Sequence, residues 1–273
     1  MSIFEKSNSG FMKNYLIFFL LMSLIRPLEV MAQFHDNVVI AHRGAWKKNQ
    51  YPENSIAALR EAIKLGCHGS EFDVHMTSDN VLVVNHDAEF YGLDIATSTY
   101  NELLALKHPN GEKIPTVEEY LTEGMKQDKT KLIFEIKSSE VDKERTLELT
   151  KLSVALVHHL KAQKWVEYIC FDFDAGAYVH ELDPNAHIAY LNGDKTPEEV
   201  KEAGYTGLDY HFSVYEKNRH WIKDAHELGL SINAWTVNKP EDMKRLLDQN
   251  AEFITTNEPE LLFEILEKRK NQE

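Results

Sequence analysis

Residues 38–74 read VVIAHRGAWKKNQYPENSIAALREAIKLGCHGSEFDV, and they contain the unit from which the fold is built. It opens with an apolar run short enough for one buried strand and continues through helical periodicity at about 54–65. It ends in a second β-rich run at Ser70–Val74. A strand, a helix and another strand in this order predict two parallel strands with the helix outside the sheet.

The same alternation continues to the end of the chain. Further strands are predicted at 81–84, 131–136, 168–171, 187–190, 207–210, 231–235 and 252–255, and further helices at 116–126, 142–163, 197–203, 214–228, 239–248 and 258–270. Even spacing without a break in composition predicts a single-domain α/β protein, a (β/α)8 TIM barrel. An open doubly wound sheet is the alternative, which the absence of GxGxxG after the first strand disfavours.

Two segments do not fit eight strand–helix units. The strand candidates number nine, because Ser70–Val74 and 81–84 are joined by a connection too short for a helical crossover. Residues 87–115 show no clear periodicity, so we expect a short insertion loop over one mouth of the barrel.

The first 32 residues differ from the rest of the chain. Lys13 precedes an apolar run at Tyr15–Ile25, and Val30-Met-Ala32 offers small residues for cleavage. This arrangement predicts a signal peptide at 1–32 and a mature domain at 33–273. An apolar run of 11 residues is shorter than the roughly 20 of a spanning helix. We therefore expect export to the periplasm or the medium, with no stable membrane insertion after cleavage.

The charge excludes a class of partner. The 273-residue chain carries a net charge of −14, and the predicted leader contributes +1 (three basic residues against two acidic ones), which leaves the mature chain at −15. A nucleic acid is excluded as a non-specific partner, because phosphate-backbone affinity needs clustered Lys and Arg. A small phosphodiester remains compatible if a metal and a few basic side chains make one pocket locally positive.

Carboxylates occur in pairs at the ends of apolar runs. Glu71 and Asp73 are two positions apart, as are Glu135 and Lys137, so each pair projects from one side of a strand. Three carboxylates turned into an apolar barrel repel one another and lose their hydration unless a cation holds them. Oxygen ligands favour a hard ion, and the sequence does not choose between Ca²⁺ and Mg²⁺.

Two histidines also end apolar runs, at His42 and His86. Imidazole titrates near neutral pH, so this pair suits a reaction that removes one proton and delivers another. Arg43 and Lys137 supply the positive charge that a phosphate needs. The chain has 13 histidines, most of which we assign to the surface or to satisfied structural positions. His75 and His211 follow apolar runs and are weaker candidates.

The order and spacing of these motifs resemble the glycerophosphodiester phosphodiesterase family, among the phosphatidylinositol-phospholipase-C-like TIM barrel phosphodiesterases. The resemblance spans nearly all of the mature chain. It rests on AHRG at 41–44, PENS at 52–55, EFDV at 71–74, TSD at 77–79, VNHD at 84–87, IPTVE at 114–118, FEIK at 134–137, AWTVN at 234–238 and ITTNEP at 254–259.

The resemblance implies a role for each matching residue. The three carboxylates named above would hold one divalent cation, Ca²⁺ or Mg²⁺, and the two histidines would act as general acid and base. Arg43 and Lys137 would bind the phosphate. Glu53 would orient Arg43. The alternative is that Glu53 is an acidic residue at the start of the next helix, where it would only stabilise the helix dipole. Trp235 would form an apolar wall of the substrate pocket, or else fill the core.

The implied activity is metal-dependent hydrolysis of a small phosphodiester, a glycerophosphodiester giving glycerol 3-phosphate and an alcohol. Two positions depart from the family pattern. Ala88–Thr97 stands where the family has an arginine- and threonine-rich stretch, so the identity of the alcohol part of the substrate stays open. Asn257 stands where the family often has the aspartate of a Thr-Asp-x-Pro motif. We expect this second position to lie in a rim loop, with little effect on the chemistry. A sphingomyelinase-D-like enzyme, a non-catalytic phospho-ligand binding protein and a metal-independent phospholipase-C-like barrel are the alternatives.

Overall fold

The structure is a computed structural model, and it describes residue 1 and residues 34–272. The predicted signal peptide and its cleavage point near Ala32 lie outside the described residues, apart from Met1, and stay predictions. Among the described residues, no helix combines the length and the apolar character needed to cross a bilayer.

Eight parallel strands form a closed barrel, which confirms the predicted TIM barrel. In chain order they are β1 (Val39–Ala41), β2 (Gly69–Met76), β6 (Lys131–Ile136), β7 (Val166–Cys170), β8 (Ile188–Tyr190), β9 (Gly207–His211), β10 (Ser231–Trp235) and β11 (Phe253–Thr256). Closure is made by β1, which pairs in parallel with β2 on one side and with β11 on the other.

Helices in the described part of the chain surround this barrel. They are α1 (Ile56–Leu65), α2 (Tyr100–Leu103), α3 (Val117–Gly124), α4 (Lys143–Leu160), α5 (Phe173–Leu182), α6 (Pro197–Glu202), α7 (Phe212–Lys217), α8 (Trp221–Glu227), α9 (Pro240–Asp248) and α10 (Pro259–Lys270). Side-chain caps fix several starts: Ser55 caps α1, and Thr116 and Thr196 form capping boxes on α3 and α6.

The sequence offered nine strand candidates, one more than a barrel of eight strands needs. Two of them, Ser70–Val74 and 81–84, form an antiparallel hairpin in the structure. β3 (Leu82–Val84) runs antiparallel to the end of β2, with Val74 opposite Val84. The turn between them includes Asn80 at φ 62°, a left-handed conformation that asparagine tolerates. β3 therefore extends the sheet beyond the barrel wall and leaves eight strands to close it.

The insertion at 87–115 is more ordered than a loop. It contains a hairpin of β4 (Glu89–Phe90) and β5 (Leu93–Asp94), followed by α2. Its apolar side chains form a small core of their own, made by Val83, Phe90, Ile95, Leu103 and Ile114. The sequence predicted an insertion loop without these elements, because elements of two to four residues are too short to show periodicity.

Two helix predictions also need correction. The segment predicted as one helix at 214–228 is two, α7 and α8. No helix was predicted at α5, which Asp172 caps by accepting a hydrogen bond from the backbone N–H of Ala175. Gly176 lowers the helical propensity of this segment, yet it is required, since a Cβ there would lie 2.1 Å from the hydroxyl of Tyr205.

The apolar core of the barrel itself has two parts. The larger part lies between the strands and the surrounding helices. A smaller cluster of Ile40, Ile133, Ile169 and Leu191 packs with Trp235 inside the barrel. Cys67 and Cys170 are both buried free thiols.

Candidate active site

The strand register brings the carboxylates together. Asp73 on β2 lies directly opposite Glu135 on β6, and Glu71 projects to the same side of β2 two residues earlier. Carboxylate oxygens of the three residues lie within 4.8 Å of one another, and all three side chains are buried. The predicted convergence of these acids at one point is therefore present in the structure.

Burial and mutual repulsion dominate the electrostatics of this triad. Burial, then the charges of Asp73 and Glu135, raises the pKa of Glu71 well above its ordinary value. Burial, then Asp73, raises the pKa of Glu135 to about 7. Oε1 of Glu71 is buried with no hydrogen-bond partner. An unpaired carboxylate oxygen among two further carboxylates fits a divalent cation with oxygen ligands.

Asp73 behaves differently because cations surround it. Burial opposes its charged form, but the positive charges of Lys137, His86 and Arg43 outweigh burial and lower its pKa to about 2. Nζ of Lys137 lies 3.1 Å from Asp73 and 2.8 Å from Glu135. Burial works against the charge of Lys137, yet the two carboxylates raise its pKa above the ordinary value. Lys137 is thus a fixed positive charge at the rim of the triad.

The loop after β1 aims Arg43 at the same place. Arg43 has φ 57°, and its backbone N–H donates to Glu71 over 2.8 Å. Its guanidinium donates to Glu53 over 2.5 Å, so Glu53 holds Arg43 as the resemblance implied. Gly44 permits this turn, because its φ is 78° and a Cβ would lie 2.7 Å from the backbone of Ala58.

His42 is a mostly buried, neutral imidazole. Burial, then the charge of Arg43, lowers its pKa to about 4. Its Nδ1 lies 2.7 Å from the amide oxygen of Asn257, which can only accept, so Nδ1 carries the proton and Nε2 has a free lone pair. That Nε2 lies 3.9 Å from Glu71. His42 is therefore ready to accept a proton beside the triad.

His86 is more exposed than His42. Its Nδ1 is 2.7 Å from Oδ1 of Asp87, an ion pair when the ring is protonated. His75 donates from Nε2 to the backbone carbonyl of His86 over 3.0 Å. His75, a weaker candidate from sequence, thus supports the position of His86.

These side chains share one small cavity of about 110 Å³ at the carboxyl end of the barrel. His42, Arg43, Glu71, His86, Glu135 and Lys137 line its polar side, and Trp235 and Phe171 line its apolar side. Trp235 is fixed by donating from its indole to the carbonyl of Asp209 over 2.8 Å. His211, the other weaker candidate, packs edge-on against Trp235 and does not line this cavity.

Three residues at the site were given no role from sequence. Asn54 is buried and brackets Asp73, donating to its carboxylate over 2.8 Å and accepting from its backbone N–H over 3.1 Å. Asn257 was expected to be a rim residue without effect on the chemistry, but it binds a catalytic candidate, His42. Asp209 is buried in the cavity wall with one oxygen unpaired, and burial raises its pKa to about 8.

The PENS motif was the only available signal for Asn54, since an amide beside the first helix reads as an ordinary cap or turn residue. For Asn257 the signal was its place in the ITTNEP motif. Asp209 carries no such signal, because one acid inside a predicted strand does not reveal whether it points inward.

Comparisons with known proteins identify what this arrangement resembles. The sequence model of the glycerophosphoryl diester phosphodiesterase family matches residues 42–261. A glycerophosphodiester phosphodiesterase from Caldanaerobacter subterraneus is 28% identical over 85% of this chain and 98% of its own length. The match to the family model confirms the resemblance seen in the motifs.

Solved structures agree on the fold. A glycerophosphodiester phosphodiesterase from Parabacteroides distasonis superposes with a TM-score of 0.83 at 44% identity, covering 87% of this chain and 99% of the other. An Oleispira antarctica phosphodiesterase, solved in complex with the product sn-glycerol-3-phosphate, has a TM-score of 0.71 at 24% identity, covering 84% of this chain and 96% of the other. At that identity the Oleispira structure supports the fold alone.

Proposed function

The chain belongs to the glycerophosphoryl diester phosphodiesterase family, and from this premise we propose that it hydrolyses a glycerophosphodiester to glycerol 3-phosphate and an alcohol. One observation carries the proposal: three buried carboxylates lie within 4.8 Å of one another, and two of them, Glu71 and Glu135, line a cavity together with two cationic side chains and two imidazoles. The product bound by the Oleispira protein, sn-glycerol-3-phosphate, is the one expected here.

Glu71, Asp73 and Glu135 would hold one divalent cation, Ca²⁺ or Mg²⁺. When bound, the cation supplies positive charge to the non-bridging phosphate oxygens and offsets the repulsion among the carboxylates. Support for this part of the proposal comes from the unpaired buried oxygen of Glu71 and from the all-oxygen donor set.

Arg43 and Lys137 bind the phosphate. Arg43 is held by Glu53 on one side, which leaves its remaining donors for the phosphate oxygens. Lys137 adds a compact charge on the other side of the triad. Both charges are fixed before the substrate arrives, so charge that develops in the transition state is stabilised without reorganisation.

His42 acts as the base and His86 as the acid. The nucleophile is a water or a neighbouring substrate hydroxyl. Nε2 of His42 accepts its proton while the oxygen of the nucleophile forms a bond to phosphorus. The bond from phosphorus to the alcohol oxygen breaks, and His86 delivers a proton to that oxygen. If the nucleophile is the substrate hydroxyl, a water then opens the cyclic phosphate: His86 takes a proton from the water, and His42 returns its proton to the hydroxyl oxygen that leaves phosphorus, which gives glycerol 3-phosphate. The assignment is supported by burial of the neutral His42 and by the carboxylate of Asp87 beside His86.

The test measures release of glycerol 3-phosphate from glycerophosphocholine. His42→Asn and His86→Asn should each lower kcat by on the order of 10²-fold or more with unchanged circular dichroism. His159→Asn, a matched change of an exposed histidine on α4, should have no effect.

A chelator should abolish the activity, and Ca²⁺ or Mg²⁺ should restore it. Undiminished turnover in chelator would indicate the metal-independent alternative, and turnover of sphingomyelin but no glycerophosphodiester would indicate the sphingomyelinase-D-like one. Tight ligand binding without turnover of any phosphodiester would contradict the catalytic proposal altogether.

We also propose that the protein is exported to the periplasm or the medium after cleavage near Ala32. The support is the apolar run at Tyr15–Ile25 behind Lys13. N-terminal sequencing of the protein recovered from the medium or periplasm tests this, and recovery of uncleaved protein in the cytoplasm alone would contradict it.

A further inference from the structure

A second and larger cavity, about 780 Å³, opens beside the first. Its walls are residues 50–54, residues 85–92 with Asp94, and 108–109 with Glu140. We call it the headgroup cleft. His86 lines both the small cavity and this cleft, so the proposed proton donor stands at their boundary. An alcohol that leaves past His86 enters the headgroup cleft.

Apart from His86, the charged side chains of the headgroup cleft are all acidic. Its lining includes five carboxylates and neither lysine nor arginine: Glu53, Asp87, Glu89, Asp94 and Glu140. Glu53 pairs with Arg43 and Asp87 with His86. Among the described residues Glu89 and Glu140 form no ion pair, so their charges are available to a ligand. Carboxylates on several sides of one cleft attract cations and repel anions.

An aromatic wall accompanies this charge. Tyr91 is 55% exposed, unusually for a large ring, and packs edge-on against Phe90 at 4.7 Å between centroids. The turn of the β4–β5 hairpin places Tyr91 at φ 48° and the next residue, Gly92, at φ 90°. An exposed aromatic face beside carboxylates is the surface that binds ammonium groups in proteins.

A buried polar atom completes the wall. His108 lines the cleft, is 6% exposed, and lies with Nδ1 3.1 Å from the hydroxyl of Tyr91. Its Nε2 is buried without a hydrogen-bond partner. Buried polar atoms in folded proteins are normally paired, so this nitrogen points to a ligand. Burial lowers the pKa of His108 to about 4, so it adds no positive charge to the cleft.

We propose that the headgroup cleft binds the alcohol half of the substrate and selects alcohols that carry an ammonium group, such as choline or ethanolamine. The inference rests on the proposed function, because the alcohol must leave from the phosphodiester held in the small cavity. Three features converge on it: unpaired carboxylates, an exposed aromatic ring and, for ammonium groups that carry an N–H such as that of ethanolamine, an unsatisfied imidazole nitrogen that can accept a hydrogen bond.

The first test compares two substrates of equal shape. Glycerophosphocholine carries the ammonium group. The matched neutral substrate is the glycerophosphodiester of 3,3-dimethylbutan-1-ol, in which a carbon atom stands in place of the choline nitrogen. We expect a kcat/KM ratio of about 10 or more in favour of the charged substrate. The double variant Glu89→Gln/Glu140→Gln should lower that ratio about tenfold and leave turnover of the neutral ester within about twofold. Glu264→Gln, the same charge change on α10 away from the cleft, should leave the ratio unchanged.

Added salt should lower the wild-type ratio, because it screens exposed charges. A ratio near one, or a ratio that the double variant does not change, would overturn the inference while leaving the hydrolase proposal intact.

A second test does not depend on turnover. Calorimetric titration with choline and with 3,3-dimethylbutan-1-ol measures binding to the cleft even if no phosphodiester is hydrolysed. Choline should bind more tightly, and Tyr91→Ala and the double variant should each weaken it severalfold. Equal binding of the two alcohols would reject the inference, whatever the activity assay shows.

Discussion

Replacing Glu135 by Gln should stabilise the metal-free protein while destroying its activity. The charged Glu135 is buried beside Asp73, and its pKa is raised from 4.5 to about 7. Each pKa unit corresponds to 1.36 kcal/mol, so holding this carboxylate ionised costs the folded state about 3 kcal/mol. Glutamine keeps the shape of the side chain without the charge.

The sign follows from proton binding. Between pH 4.5 and about 7 the folded protein keeps a proton on Glu135 that the unfolded chain releases. The free energy of unfolding therefore falls by about 3 kcal/mol as pH rises through this window, and it stays lower above it. The Glu135→Gln variant lacks this loss. Its advantage over the wild type should be near zero at pH 4.5 and about 3 kcal/mol at pH 8.

Urea unfolding in chelator at pH 5 and pH 8 measures the difference, with Glu264→Gln as the control. Lys137 keeps Asp73 as a partner at 3.1 Å in the variant, so it is not left unpaired. Added Ca²⁺ or Mg²⁺ should raise the Tm of the wild type and not that of the variant. A variant less stable than the wild type at pH 8 in chelator would show that burial and repulsion among the carboxylates do not dominate the site.

Three further changes test other parts of the structure. Asn257→Asp should shift the acidic limb of the kcat/KM profile upward by about one pH unit. A carboxylate beside Nδ1 favours the protonated form of His42 and so raises its pKa from about 4. An acidic limb that does not move would contradict the role of His42 as base. Burial raises the pKa of Asp209 from 3.8 to about 8, so between these pH values only the folded state keeps the proton. The free energy of unfolding of the wild type should therefore fall by about 6 kcal/mol between pH 4 and 8, and Asp209→Asn should remove this loss. An equal dependence of the unfolding free energy on pH in both proteins would contradict this prediction. Gly44→Ala should cost about 3 kcal/mol or more, because the new Cβ would lie 2.7 Å from helix backbone, whereas Gly92→Ala, at φ 90° in open space, should cost about 1 kcal/mol; similar losses in urea unfolding would show that the contact is unimportant.

Periodicity explains how much of the fold was predictable. An apolar run of three to six residues followed by a capped helix appears throughout the chain, and repeating that unit leaves a parallel barrel as the compact solution. The same logic fails where elements are shorter than a period. The β4–β5 hairpin and α2 are stabilised by a local apolar cluster, a property of contacts in space that no window of sequence displays.

The site divides along the same line. Two-residue spacing puts Glu71 and Asp73 on one face of a strand, and spacing alone predicts that. It does not reveal which side chain reaches across to hold another. The contact between His42 and Asn257 joins residues 215 positions apart, and it depends on β1 and β11 meeting where the barrel closes. The reacting groups could be predicted from their residue types. The residues that hold them in place could not, because those contacts exist only once the barrel is closed.

The closure of the barrel also accounts for how the site tolerates so much buried charge. β2 contributes two carboxylates and its neighbour β6 one, and Arg43 after β1 and Lys137 after β6 bring positive charge to the two sides of that pair of strands. Neither cation neutralises Glu71, whose Oε1 remains unpaired and whose pKa stays high. The raised pKa values keep protons on Glu71 and Glu135 near neutral pH, and a divalent cation held by the three carboxylates would take the place of those protons. Binding of the cation and stability of this end of the barrel should consequently rise and fall together.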